Sequence, residues 1–120
     1  MKKIENNSSG NLKNIFFETG KANLLKTSEN ELDNVATFLL LNPKVKIEIY
    51  GHTDNSGDPS SNLILSQQRC EEVFKELIKR EVPASRLSYK GLGETAPLSS
   101  NATAEGRKQN RRIEFRIVIL

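Results

Sequence analysis

Between two ordinary stretches the chain carries Gly51-His52-Thr53-Asp54-Asn55-Ser56-Gly57, its densest run of residues able to do chemistry. The run falls where a strand gives way to a loop, a favoured place for ligands in α/β sheets. Asp54 supplies a carboxylate. Further on, Arg69 supplies a guanidinium, and Asn62 stands on the same helical stripe, because seven residues at 100° each bring two side chains within about 20° of one another. A carboxylate beside a guanidinium complements a ligand that carries an ammonium and a carboxylate. Each residue also has a plainer reading. Asp54 fits an Asx turn in a loop rich in Gly, Asn and Ser; Arg69, whose stem could run along the core with its guanidinium emerging at the loop end, also fits a solvated charge paired with Glu72 or another surface carboxylate.

The remaining reactive types point away from catalysis. The only cysteine, Cys70, lies on the apolar stripe of a helix and reads as a small buried hydrophobe rather than a nucleophile. The only histidine, His52, reads as structural. With one of each, disulfide frameworks and zinc sites built from paired ligands are excluded, and no cofactor or metal is expected. Gly91-Leu92-Gly93 lacks the third glycine and the helix of a dinucleotide fingerprint, so it reads as a turn.

The elements that must position these residues follow from periodicity. Ile15-Phe16-Phe17 is a first strand ended by Gly20. A helix capped by Thr27 or Ser28 buries Leu32, Val35, Ala36 and Leu39, and stops before Asn42-Pro43. Val45, Ile47 and Ile49 alternate with Lys44, Lys46 and Glu48 in a second strand that ends at Gly51. A long helix capped by Ser60 or Ser61 runs to about Arg80, with Cys70, Val73, Phe74 and Leu77 facing the core. A third strand, residues 86–90, leads into Gly91. A short helix spans residues 104–110, and residues 112–120 alternate again. The order is β-α-β-α-β-(short α)-β, an α+β two-layer sandwich with two main helices on one face of a mixed four-stranded sheet. Residues 1–12 read as a polar disordered lead or linker, and 13–120 as one domain.

The bulk numbers set limits. One hundred and twenty residues with 36% apolar and 28% charged types suit a single domain. The net charge of +3 does not by itself argue for a polyanion or a membrane surface. The basic run Arg107-Lys108-Gln109-Asn110-Arg111-Arg112 nevertheless supports a competing hypothesis, a small domain that binds nucleic acid or another anionic polymer through Arg107, Lys108, Arg111 and Arg112. Against it, the few aromatics lie mostly at core positions and form no stacking platform.

Taken together, the segments resemble the OmpA-like C-terminal domain, the peptidoglycan-binding module of outer-membrane porins and peptidoglycan-associated lipoproteins. The resemblance covers residues 15–119. It runs through Phe16-Phe17-Glu18-Thr19-Gly20-Lys21-Ala22, Ile47-Glu48-Ile49-Tyr50-Gly51-His52-Thr53-Asp54, Asn62 with Leu65-Ser66-Gln67-Gln68-Arg69, Gly91-Leu92-Gly93-Glu94, and Asn110-Arg111-Arg112-Ile113-Glu114. It implies non-catalytic binding of the peptidoglycan stem peptide at diaminopimelate, with Asp54 and Arg69 holding that residue's two charged ends. Around them it places Asn62, Asn55, Ser56, Thr53, Gly20, Lys21 and Arg111. It implies no cofactor, no nucleic-acid partner, a periplasmic location in a Gram-negative bacterium, and attachment to the outer membrane through a region N-terminal to this one; a homodimer stays open. Glu18 stands where the family usually has Asp, and Cys70 where it commonly has Ala. Because neither Asp54 nor Arg69 is assigned to the apolar core, alanine at either position is expected to abolish wall binding and spare the fold.

Overall fold

The structure, a computed structural model, describes residues 15–17 and 28–119. The lead, the loop with Gly20 and Lys21, and Glu18 lie outside the described residues. Strand β1 (Ile15–Phe16) is followed by α1 (Glu29–Leu41), β2 (Val45–His52), α2 (Pro59–Lys79), a 3-10 turn (Ala84–Arg86), β3 (Leu87–Gly93), α3 (Ala104–Asn110) and β4 (Arg112–Ile119). The sheet is mixed: β2 pairs parallel with β3 and antiparallel with β4, and the two residues of β1 add antiparallel to the far edge of β4.

The alternation in β2 does what its pattern requires. Val45, Ile47 and Ile49 are buried, and they share one core with Leu32, Val35 and Leu39 of α1, Cys70, Val73 and Leu77 of α2, and Ile113, Phe115 and Ile117 of β4. Both long helices therefore cover one face of the sheet, and Lys46, Glu48, Lys90 and Arg116 point to the other. Helix α1 ends where Asn42 turns its side-chain amide back onto the Phe38 carbonyl at 2.7 Å. Arg86 then clasps that end to the sheet. Its Nη2 donates to the Leu39 and Asn42 carbonyls and its Nε to that of Val45.

Two local expectations are corrected. The cap of α2 is Asp58, whose carboxylate accepts from Ser61 N–H at 3.0 Å, and not Ser60 or Ser61; Pro59, with no N–H to satisfy, takes the first helical position. Gly91-Leu92-Gly93 is the end of β3 and not a turn. These glycines are there for α2. A Cβ on Gly51 would overlap the Ser66 carbonyl, and one on its register partner Gly91 would meet the Gln67 backbone nitrogen at 2.5 Å, so the helix lies directly on the paired strands only because both side chains are missing. Just beyond that pair the register shifts, with His52 opposite Gly93. The irregularity bends the strand end from which the Asp54 loop leaves.

Candidate ligand-binding site

The loop after β2 is pinned before it reaches Asp54. Thr53 N–H donates to the Gly93 carbonyl at 2.9 Å, and Thr53 Oγ1 to the Asp54 carbonyl at 2.8 Å. Asp54 Oδ1 then accepts from Ser56 N–H at 2.9 Å, so the plain Asx-turn reading holds. The same turn aims the carboxylate at the cations. Oδ2 accepts from Arg111 Nη1 at 2.9 Å, while Arg111 Nε donates to the Phe17 carbonyl. Burial alone would raise the pKa of Asp54, which is 4% exposed, but the hydrogen bonds from Ser56 and Arg111 outweigh it and hold the carboxyl below its ordinary value.

Arg69 differs from its expectation. The whole residue is buried at 0% exposure, so it is not a solvated charge and does not emerge at the loop end. Its Nη1 donates to the His52 carbonyl at 3.0 Å, and its guanidinium carbon lies 4.8 Å from the centre of the Phe17 ring. The helical stripe that carries Asn62 and Arg69 is part of the packed face, continuous with Ser66, Cys70 and Val73. Burial, then the Arg111 charge, pull its pKa down to about 10, against the pull of Asp54. It stays charged at neutral pH. Arg69, Arg111 and Asp54 thus feel one another as a cluster of two cations around one carboxylate.

Asn62, 7% exposed, crosses from α2 to the loop. Its Nδ2 faces the carbonyls of Asp54 (3.3 Å) and Ser56 (3.0 Å) and Oε1 of Glu94 (3.2 Å). The structure thus brings Thr53, Asp54, Ser56, Asn62, Arg69 and Arg111 together. Asn55 is exposed on the loop beside them, and Gly20 and Lys21 lie outside the described residues. Sequence reasoning left Glu94 out of the site. It stands past the last residue of β3, where no periodicity marks a direction, and only the strand pairing of Gly93 with the Thr53 amide brings it here.

His52 is structural, as its place on the strand suggested, but it is not comfortable. It is 1% exposed, neither ring nitrogen finds a hydrogen bond, and Nε2 stands 3.5 Å from Glu114 Oε1. Burial first and the Arg112 charge second push its pKa down to about 4, with Glu114 opposing. The unfolded chain, with an ordinary histidine near 6.5, then binds the proton more readily, so this group's contribution to stability is present above that value and is lost as the pH falls towards 4. From pH 8 to pH 5 the loss from His52 is about 2 kcal/mol. Denaturant melts of wild type and His52→Gln at the two pH values check this: the variant's stability should fall by less over the interval, and an equal fall in both would mean that His52 titrates normally.

Three of the four cations of the basic run are engaged with protein acceptors. Arg111 is held by Asp54 and Phe17, Arg112 is 4% exposed and donates to the carbonyls of Asn110 and Ala96, and Arg107 donates to the Asn101 carbonyl at 2.9 Å. Side chains committed to protein acceptors are less available to phosphates, which weakens the polyanion surface expected from sequence at Arg107, Arg111 and Arg112, while Lys108 is exposed. Among the described residues no group of three or more His, Cys, Asp or Glu is placed to hold a metal. Cys70 is buried, and burial pushes its thiol up to about 11, which leaves no thiolate at neutral pH. Among those residues, too, no helix is long and apolar enough to cross a membrane.

Comparison with known proteins adds to this geometry. A family model described as the OmpA family matches residues 16–111. The chain is 42% identical over 102 residues to the probable lipoprotein YiaD of Escherichia coli, covering 85% of this chain and 47% of that protein. It is 39% identical over 101 residues to the peptidoglycan-binding protein ArfA of Mycobacterium tuberculosis, covering 84% of this chain and 31% of that one. The chain therefore spans about half or less of these curated relatives. Among solved structures it superimposes with a TM-score of 0.86 on the peptidoglycan-associated lipoprotein of Burkholderia pseudomallei, at 26% identity, covering 92% of this chain and 94% of that one.

Proposed function

Because the chain belongs to the OmpA family, we propose that it is a peptidoglycan-binding module without catalytic activity, and that its ligand is the diaminopimelate residue of the stem peptide. The observation that carries this reading is the Asp54 carboxylate, fixed by Ser56 and flanked by the guanidiniums of Arg111 and Arg69. Diaminopimelate presents an ammonium and a carboxylate on one far carbon. Oδ1 of Asp54 accepts from Ser56 and Oδ2 from Arg111, which leaves each oxygen a lone pair for the ammonium, while the Arg111 guanidinium, backed by the buried charge of Arg69, complements the carboxylate. Thr53, Asn55, Ser56 and Asn62 shape the loop around that group, and Gly20 and Lys21, which lie outside the described residues, are assigned to ligand binding on the family resemblance alone.

Two or three hydrogen bonds to charged groups, at roughly 1.5 to 3 kcal/mol each before ordering costs, place a single site in the micromolar to millimolar range. Retention on a wall comes from the many stem peptides that one polymer displays. In this reading the module works in the periplasm and anchors an outer-membrane protein or lipoprotein to the wall. Attachment to the membrane belongs to another region of the full-length protein.

The test is co-sedimentation of the purified chain with insoluble diaminopimelate-type and lysine-type peptidoglycan at about 0.15 M salt, where the Debye length is near 8 Å. Pelleting with the first, release by free diaminopimelate, and persistence in about 0.5 M salt support the zwitterion clamp. A chain that stays in the supernatant shares the family fold without this activity. One that pellets with both walls and is released by salt alone holds the polymer by charge.

A further inference from the structure

We propose that Glu94 is a positioning residue for the ligand site, holding the Asn62 carboxamide so that it braces the Asp54 loop from the inside. The proposal rests on the peptidoglycan reading for its ligand and on the structure for its mechanism. Asn62 Nδ2 has two hydrogens and faces three acceptors: the backbone carbonyls on either side of Asn55, at Asp54 and Ser56, and the Glu94 carboxylate. These two bonds to the 54–56 loop tie it to α2, so the orientation of this amide helps set where the loop sits relative to the helix. An amide on its own rotates over a broad range about its last torsion. A carboxylate oxygen at 3.2 Å is the acceptor that removes that freedom, because a bond to a charged acceptor outweighs one to a neutral carbonyl.

Glu94 is itself delivered rigidly. The preceding residue, Gly93, donates its N–H to Ser66 Oγ at 2.9 Å and accepts Thr53 N–H at 2.9 Å, tying the end of β3 to α2 on one side and to the site loop on the other. Gly93 adopts φ +58, and the Cβ of any other residue there would come within 3.3 Å of the Leu63 backbone. The chain of support therefore runs from β3 through Glu94 to Asn62, from Asn62 to the Asp54 and Ser56 carbonyls, and from the loop so held to the Ser56 N–H that fixes Asp54 Oδ1. Glu94 is half-buried and contributes through Asn62, without touching the carboxylate of Asp54.

Glu94→Gln keeps an oxygen that can accept from Asn62 and removes the charge; Glu94→Ala removes both. The first measurement needs no ligand: titration of the Asp54 carboxyl by NMR in all three proteins. Deleting a negative charge nearby would by itself lower the pKa of Asp54, whereas a loop that slackens and loosens the Ser56 bond raises it, so the sign separates the two effects. Positioning predicts a rise in Glu94→Ala and none in Glu94→Gln. The second measurement is the Kd for a soluble diaminopimelate-containing muropeptide, expected to weaken about tenfold in Glu94→Ala and less than threefold in Glu94→Gln. Equal weakening in both variants would assign Glu94 a direct charge contact with the ligand and overturn the proposal. So would an Asp54 titration that falls, or stays fixed, in Glu94→Ala. If the wild type binds no muropeptide, the functional reading fails, and the titration still decides the role of Glu94.

Discussion

Replacing Arg69 with alanine should cost the fold about 3 to 5 kcal/mol, contrary to the expectation that this residue is expendable for folding. Four losses combine. The side chain is wholly buried and the largest so buried among the described residues, so its removal leaves a large cavity beneath α2. The His52 carbonyl, in a strand end sealed from water, loses its donor. Asp54 loses one of the two cations that favour its charged form, and the Phe17 ring loses the guanidinium stacked 4.8 Å from its centre. Arg69→Lys separates these terms, since it keeps a charge and most of the stem but cannot present a flat fork to a carbonyl and a ring at once. It should recover part of the stability and little of the binding. Urea melts at pH 7 check the ranking of wild type above Lys above Ala. A loss below about 1 kcal/mol for alanine would show that the guanidinium is solvated after all, as the plainer reading of the sequence had it.

That discrepancy shows where sequence reasoning stops. The elements were legible because each is written in a period: Leu32, Val35, Ala36 and Leu39 as a helix face, and Val45, Ile47 and Ile49 as a strand face, are buried as their spacing requires. The convergence of the loop and α2 was legible too, since the turn after β2 and the Asn62–Arg69 stripe point to one end of the sheet. Depth was not. A helical wheel puts Arg69 on the margin of the apolar stripe, but the depth of the helix is set where no wheel looks, at Gly51 and Gly91, which let α2 settle close to the sheet at Ser66 and Gln67. An absent side chain has no period, and its effect on a neighbouring element appears only in three dimensions. The basic run failed for a related reason. Four cations close in sequence look like a surface, yet the end of α3 and the start of β4 aim three of them, Arg107, Arg111 and Arg112, at different carbonyls and at one carboxylate. Glu94 was missed because its partner, Asn62, lies 32 residues away, and no local pattern links the two.

Asp54→Asn should abolish diaminopimelate recognition, weakening muropeptide binding by at least about 100-fold while the melt remains cooperative. The substitution is nearly isosteric. It keeps an oxygen for Ser56 N–H, so the Asx turn survives, and it removes only the charge. The ligand's ammonium then meets a neutral amide flanked by Arg111 and Arg69, and two cations with no carboxylate between them repel a third. A charge-assisted bond lost and a repulsion exposed together amount to roughly 3 kcal/mol or more, which is the stated factor of about 100. Some stability goes as well, because Arg111 loses its partner, but its Nε bond to the Phe17 carbonyl and its partial access to solvent limit that cost below the cost of emptying the Arg69 site. Titrating wild type and Asp54→Asn with the same muropeptide, alongside a lysine-type analogue that carries the ammonium without the neighbouring carboxylate, resolves the two halves of the clamp. Wild type should prefer diaminopimelate over the analogue, and the variant should weaken for both while keeping that preference, since the ammonium that both carry is what it can no longer hold and the carboxylate that distinguishes them still meets the guanidiniums. Wild-type affinity in Asp54→Asn would mean that Arg69 and Arg111 bind a carboxylate alone, and the site would then be an anion pocket rather than a receptor for a zwitterion.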